Sequence, residues 1–314
     1  MLTPAQRRVT DELLALGQPR PRFEPTLGAE LRATLEEALT PVLDSLPADT
    51  PPLWISKNAL TDVHSCEAHY LAQSAGWSGW NLATAGGEVT HRAIQLSVGF
   101  SGEPTPSELV DHAVARLTAD EAAPLGAFLV ALPEAAVAEL RAWATNGVAT
   151  FLECWPPLPG RWWPRTELPV RADLCGGRVV LSGKIDLSLG RAVGEEARCL
   201  FVDLKTGSRY AAHLDDLRFY ALVQTLRIGV PPFRVASYYL DSASFHAEDV
   251  SPDTLEIALR RTLDGIRKVV DLKSRSRPAT VTPCARCRFC PVRHTCEGAQ
   301  EWESRRQVAA GELV

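Results

Sequence analysis

Residues 183–207, GKIDLSLGRAVGEEARCLFVDLKTG, decide the fold of this chain. Two short β-rich runs flank a glycine-containing turn, as in a hairpin. Side chains alternate along a strand, so Lys184, Asp186 and Ser188 share one side, while Ile185, Leu187 and Leu189 share the other. In the second run Asp203 and Lys205 lie with Phe201, and Val202 and Leu204 face away. Charges on strands this apolar are costly unless they serve each other or a metal. Two carboxylates on adjoining strands make a hard-oxygen site for Mg²⁺ or Mn²⁺, with Lys205 pointing into it. The same residues also fit a buried Asp–Lys pair on an ordinary sheet. The hairpin spacing and the Thr206-Gly207 exit into a helix favour the site.

Outward from this stretch, the first half reads helical. Thr3-Pro4 opens an amphipathic run to Leu16, stopped by Gly17, and a second helix covers 27–46. Ser56 caps a helix carrying Cys66 and His69, and Gly86-Gly87 precede another over 88–100. Two more, at 106–119 and 133–146, each open on proline. At Val148 the periodicity changes, and 148–154, 167–172, 178–189 and 198–205 are predicted strands. A helix (212–228), a strand (233–240), a long helix (252–272) and a tail helix (299–314) follow. This order fits an α/β chain with a mixed central sheet flanked by helices.

With 314 residues, 46% of them hydrophobic, the chain can bury a large core. Its net charge of −5 counts against a protein that neutralises phosphates over its whole surface, but leaves room for a local basic groove. Candidate stretches are 161–165 (RWWPR), 268–277 (KVVDLKSRSR), and Arg286, Arg288 and Arg293; solvated surface charge is the ordinary reading of each. Trp162 and Trp163, beside Arg161 and Arg165, suit stacking on unpaired bases or packing in a Pro-rich loop. No apolar run is long enough to cross a bilayer, and the N-terminus lacks the pattern of a secretory signal. A cytoplasmic, reducing environment is expected, with the eight cysteines as ligands or buried thiols. No G-x-x-x-x-G-K-[ST] motor loop is present.

Cys284, Cys287, Cys290 and Cys296 crowd the C-terminal part, the last three spaced C-x2-C-x5-C, and Cys66 is their plausible distant partner. Four thiolates hold zinc or an iron–sulfur cluster. A zinc ribbon would show two paired C-x2-C knuckles, and here the N-terminal side offers only Cys66. Cys284 leaves two possible C-terminal triplets. Cys154, Cys175 and Cys199 sit in strand-like surroundings and read as buried small hydrophobes.

GKID, then FVDLKTG, then a helix ending in FYAL resembles the PD-(D/E)XK nuclease superfamily. The pattern is most similar to the branch containing RecB and AddB nuclease domains and CRISPR-associated iron–sulfur exonucleases, whose G-x-x-x-H signature is matched by Gly87-EVT-His91. The resemblance covers about residues 53–298. It implies a restriction-endonuclease-like fold whose N-terminal helical lobe is clasped to the C-terminus by an iron–sulfur cluster. The implied parts are a helical extension (1–50), a nuclease domain (51–298) with lobe (51–147), α/β core (148–275) and cysteine segment (284–298), and a tail (299–314).

By the same resemblance His91, Asp186, Asp203 and the Leu204 carbonyl hold Mg²⁺ or Mn²⁺, Lys205 is the catalytic lysine, and Tyr220 is the tyrosine of the following helix. Cys66, Cys287, Cys290 and Cys296 hold a 4Fe-4S cluster. The implied activity is DNA hydrolysis, an exonuclease on single-stranded or frayed ends leaving 5′-phosphate and 3′-hydroxyl products, in repair, recombination or defence. A separate helicase or other subunit would supply any unwinding. The family's Q-x-x-x-Y reads Asp216-LRF-Tyr220 here, Gln95 stands where a glutamate is frequent, and Glu167 matches a recurrent acidic position. The Asp216 departure keeps open a non-catalytic DNA-end-binding iron–sulfur subunit; RNA is the remaining substrate class.

Overall fold

The computed structural model describes residues 1–314 except 77–78, 101, 208, 211 and 312–314. In chain order the helices and strands are α1 (Pro4–Arg8), α2 (Leu27–Leu43), β1 (Leu53–Ile55), α3 (Lys57–Ser65), α4 (Glu67–Ala75), α5 (Leu82–Val98), α6 (Pro106–Thr118), α7 (Pro124–Val130) and α8 (Glu134–Cys154). There follow β2 (Arg165–Leu174), β3 (Val179–Leu189), β4 (Leu200–Lys205), α9 (Ala212–Ile228), β5 (Arg234–Tyr239), β6 (Ser244–Asp249), α10 (Pro252–Ser274) and α11 (Glu297–Gly311). The strands form a six-stranded mixed sheet.

The chain divides into two compact units. The first comprises Met1–Gly28, Gly79–Val170 and Lys184–Leu255. In it β4 runs antiparallel to β3, with Leu187 opposite Val202 and Leu189 opposite Leu200. It runs parallel to β5, and α9 makes the crossover that a parallel pair requires. β6 closes this part of the sheet antiparallel to β5. Leu187, Leu189, Leu200, Val202 and Leu204 share one core with Val89 and Ala93 of α5, Leu109 of α6, and Leu140, Ala144, Val148 and Phe151 of α8. The alternate side chains therefore carry the polar chemistry. Continuing the β3–β4 register by one pair sets Asp186 opposite Asp203, on the same face.

The second unit comprises Ala29–Ser78, Arg171–Gly183 and Glu256–Val314. In it β1 lies parallel to the first residues of β3, with Leu53 opposite Val179. It also holds α2, α3, α4, most of α10 and the C-terminal cysteines.

Several boundaries differ from the sequence reading. Residues 148–154 are the last turns of α8, not a strand. Leu140, Ala144, Val148 and Phe151 are buried at helical spacing, so core packing overrides the β-branched content. Helix α5 begins at Leu82, capped by Asn81 and Thr84, and Gly86-Gly87 lie inside it. Gly86 serves a close approach: a Cβ there would come within 2.3 Å of the Trp143 ring. Ser56 caps α3 as expected, but the backbone turns extended at Cys66 (φ −162°), splitting the expected helix into α3 and α4. Of the three remaining cysteines, Cys199 is buried, while Cys154 ends α8 and Cys175 sits in a turn, both half-buried. Strands β1 and β6 and helix α7 have no counterpart in that reading. The last three residues of the expected tail helix lie outside the described residues.

Candidate metal centre

Asp186 sits in β3 with both carboxylate oxygens engaged. Oδ2 accepts a hydrogen bond from the Leu204 backbone N–H at 2.7 Å, and Oδ1 lies 3.4 Å from His91 Nδ1. His91 comes from the middle of α5, whose buried face (Ala85, Val89, Ala93) anchors the helix and leaves the imidazole half-buried. Burial alone would lower the His91 pKa. The Asp186 charge and hydrogen bond, with Glu88 and Asp203 behind them, win and raise it to about 9. His91 is therefore an imidazolium at neutral pH and must release a proton to become a ligand.

Glu167 completes the cluster. His91, Glu167 and Asp186 each offer one ligand atom, and these atoms all lie within 4.8 Å of one another. One nitrogen and two carboxylate oxygens suit a divalent ion of intermediate or hard character. Glu167 reaches this position with its backbone in the left-handed region (φ +52°), a costly conformation for a non-glycine residue. Its carboxylate also pairs with Lys184, two residues before Asp186 in the strand.

Asp203 is buried and lies outside that three-residue group. Its Oδ2 is 2.5 Å from Lys205 Nζ, which is also 4.0 Å from Asp216 of α9. The lysine thus lies between two carboxylates. Tyr220 is buried, and its hydroxyl donates to the Lys184 carbonyl at 2.8 Å, bracing β3 one residue before Ile185. Gln95 accepts from Arg92. The structure thus joins His91 to Asp186 and Lys205 to Asp203, and adds Glu167 to the first and Asp216 to the second. Sequence reasoning noted Glu167 only as a family position, and Asp216 only as a departure.

Of the four residues expected to meet nucleic acid, Trp162 packs against the core while Trp163 is exposed, its ring beneath the Arg191 guanidinium (4.8 Å). Arg161 and Arg165 are exposed. Arg161 stands 6.0 Å from the Trp162 ring centroid.

In the second unit Cys66, Cys284, Cys287, Cys290 and Cys296 line one cavity, with Val281, Val292 and Ala299 among its apolar walls. All are free thiols. Backbone N–H groups point at two of the sulfurs: Thr282 donates to Cys66 (3.4 Å) and Cys284 to Cys287 (3.3 Å). The loop is wound tightly by Cys287 N–H to Cys284 C=O and Cys290 N–H to Cys287 C=O bonds. Burial raises the Cys287 and Cys290 thiol pKa values, so thiolate there requires a cationic partner. Five soft donors around one enclosed space fit a soft metal or an iron–sulfur group.

Ion pairs brace this cavity. Buried Glu67 accepts two hydrogen bonds from Arg277 (2.6 and 2.8 Å) and one from the Thr280 N–H (2.8 Å). The Arg277 bonds hold its pKa down at about 2 against the opposing effect of burial. Asp62 pairs with Arg286, and His69 Nε2 lies 3.7 Å from the same carboxylate.

A profile described as the PD-(D/E)XK nuclease superfamily matches residues 55–297. No curated protein matches the chain. Among solved structures, the chain is similar to SSO0001 at 12% identity, covering 86% of this chain and 97% of that one, with a TM-score of 0.37. It is also similar to a candidate exonuclease from Eubacterium rectale at 13% identity, covering 75% and 87% of the two chains, with a TM-score of 0.46. Among the described residues, no helix is long and apolar enough to cross a membrane.

Proposed function

The chain belongs to the PD-(D/E)XK nuclease superfamily, and from that premise we propose that it is an Mg²⁺- or Mn²⁺-dependent deoxyribonuclease. We assign it to exonucleolytic trimming of single-stranded or frayed DNA ends in repair, recombination or defence. The observation that carries this reading is the convergence of His91, Glu167 and Asp186 within 4.8 Å, in the same unit as the Asp203–Lys205 pair.

In this reading His91, Asp186, Asp203 and the Leu204 carbonyl are the ligand set, with Glu167 as a further carboxylate. A divalent ion held there would supply Lewis-acid chemistry, activating water and offsetting charge on the phosphate. Asp186 is oriented by the Leu204 N–H, so its charge is aimed before substrate arrives. Lys205, placed between Asp203 and Asp216, presents an ammonium to the negative charge that grows on the phosphate oxygens. Tyr220 acts through the Lys184 carbonyl as a positioning residue. Arg161, Trp163 and Arg165 are outward-facing DNA contacts.

The sulfur cavity in this reading holds a 4Fe-4S cluster on Cys66, Cys287, Cys290 and Cys296, with Cys284 the spare thiol and the cluster structural in role. The deciding experiment is cleavage of end-labelled single- and double-stranded DNA and RNA with Mg²⁺ or Mn²⁺, Lys205→Ala serving as control. Cleavage of single-stranded or frayed DNA, lost in Lys205→Ala, supports the proposal. Retained DNA binding with no cleavage by the wild type would replace it with a non-catalytic end-binding subunit.

A further inference from the structure

Residues 272–296 carry Lys273, Arg275, Arg277, Arg286, Arg288 and Arg293 and no aspartate or glutamate, in a chain whose net charge is −5. Arg277 and Arg286 are tied to Glu67 and Asp62. Among the described residues neither Arg288 nor Arg293 makes an ion pair. Instead Arg293 donates to the Arg288 carbonyl (2.6 Å) and to His294 (3.0 Å), which fixes its position without neutralising it. The Arg288 guanidinium lies 5.9 Å from the Trp302 ring, and Arg306 lies 4.9 Å from the same ring.

In sequence between Arg288 and Arg293 stands Phe289, 71% exposed and, after Met1, the most exposed large apolar side chain among the described residues. The loop that presents it is not slack. It is the short helical turn Ala285–Phe289, held by the backbone bonds among Cys284, Cys287 and Cys290. A braced loop that keeps an aromatic ring in water, flanked by unneutralised arginines, forgoes burial energy unless a ligand covers the ring. A ligand that is both polyanionic and rich in flat faces matches this pattern, and single-stranded nucleic acid has both properties.

We propose that this cysteine loop is a contact for single-stranded DNA: Phe289 stacks on an unpaired base, and Arg288 and Arg293 meet the neighbouring phosphates. The ligand class rests on the nuclease reading above; the site itself rests on the loop.

The test is fluorescence anisotropy of a labelled short oligodeoxythymidylate, in the full chain carrying Lys205→Ala and without added divalent ion. Phe289→Ala is expected to weaken binding about tenfold, while Phe289→Trp stays within about twofold. Arg288→Ala with Arg293→Ala is expected to flatten the log–log salt dependence by about 0.7 per lost phosphate contact. Binding by Phe289→Ala within about twofold of its parent overturns the proposal and leaves the patch to an acidic protein partner. An equal loss in Phe289→Trp also overturns it, because stacking would then not be the cause. Cleavage of the same oligonucleotide by wild-type protein with Mn²⁺ judges the nuclease reading separately. Cleavage with unaltered binding in Phe289→Ala sinks only the loop contact, and Phe289-dependent binding without cleavage sinks only the nuclease.

Discussion

The Asp186 carboxylate accepts the backbone N–H of Leu204, one residue beyond Asp203 on the neighbouring strand. That single bond ties the two acidic positions together through the main chain, so neither strand can shift without moving both. It also separates charge from geometry experimentally. Asp186→Asn keeps an oxygen that can accept from Leu204 but loses the charge. It is expected to lower single-turnover cleavage at least about a hundredfold, and to lower the melting temperature at neutral pH by less than Asp186→Ala, through the lost charge beside His91. Asp186→Ala removes both and is expected to lower activity and stability together.

The raised pKa of His91 fixes the sign of a pH effect. At a pKa of about 9 the imidazole is protonated through the neutral range, so metal binding must expel that proton. Affinity for Mn²⁺ is expected to rise about tenfold per pH unit from about pH 7 and to level off above about 9. Calorimetry in two buffers of different ionisation enthalpy should count about one proton released per site, and none in His91→Gln. Before metal is added, the same raised pKa stabilises the fold. That contribution is complete below the unfolded histidine value near 6.5 and disappears as pH climbs through about 9.

Glu167 should show opposed effects on stability and activity. Its left-handed backbone costs on the order of 1 kcal/mol, which glycine would relieve. The pair with half-exposed Lys184 offsets little of this. Glu167→Gly is expected to melt no lower than wild type while losing at least about tenfold in cleavage. A variant that melts lower with full activity would remove Glu167 from the site.

Glu67 is the buried support of the sulfur cavity. Glu67→Ala leaves the Thr280 N–H without its acceptor and Arg277 with Asp271 as its remaining carboxylate, and is expected to cost about 2 kcal/mol, read by denaturant titration. With its pKa lowered, this glutamate contributes stability that is whole above about pH 4.5 and fades as pH falls toward about 2.

The thiols themselves can be ranked by substitution. Anaerobically purified wild type is expected to be brown, with a broad band near roughly 400 nm. Cys284→Ser should keep that band, and Cys66→Ser or Cys287→Ser should lose it along with the iron. Colourless protein containing zinc would retire the iron–sulfur assignment.

Much of the first unit's geometry was legible because strand parity is a local property. Asp186, Asp203 and Lys205 declare their face through the apolar residues between them, and α9 begins and ends where its sequence says. The misreadings came where a residue answers to a distant partner. Gly86 looks like a helix breaker until Trp143 is beside it, and Val148 looks like a strand until Leu140 and Ala144 share its buried side. β6 has no buried alternation to betray it, and β1 is only three residues long. Glu167 owes its place to a backbone angle that no side-chain pattern encodes. Cys66 was recognisable as a partner for the C-terminal thiols, but the break in the helix at that residue was not.

Helix α5 seats against α8 through the hydrogen atom where Gly86 has no side chain, five positions before the imidazole. The spacing between those two helices is therefore a tolerance on the placement of His91 beside Asp186, set by a residue with no chemistry of its own. On the nuclease reading proposed above, changing the ion or the cutting rate need not touch a single candidate ligand: trimming or enlarging the Trp143 ring would shift His91 from behind.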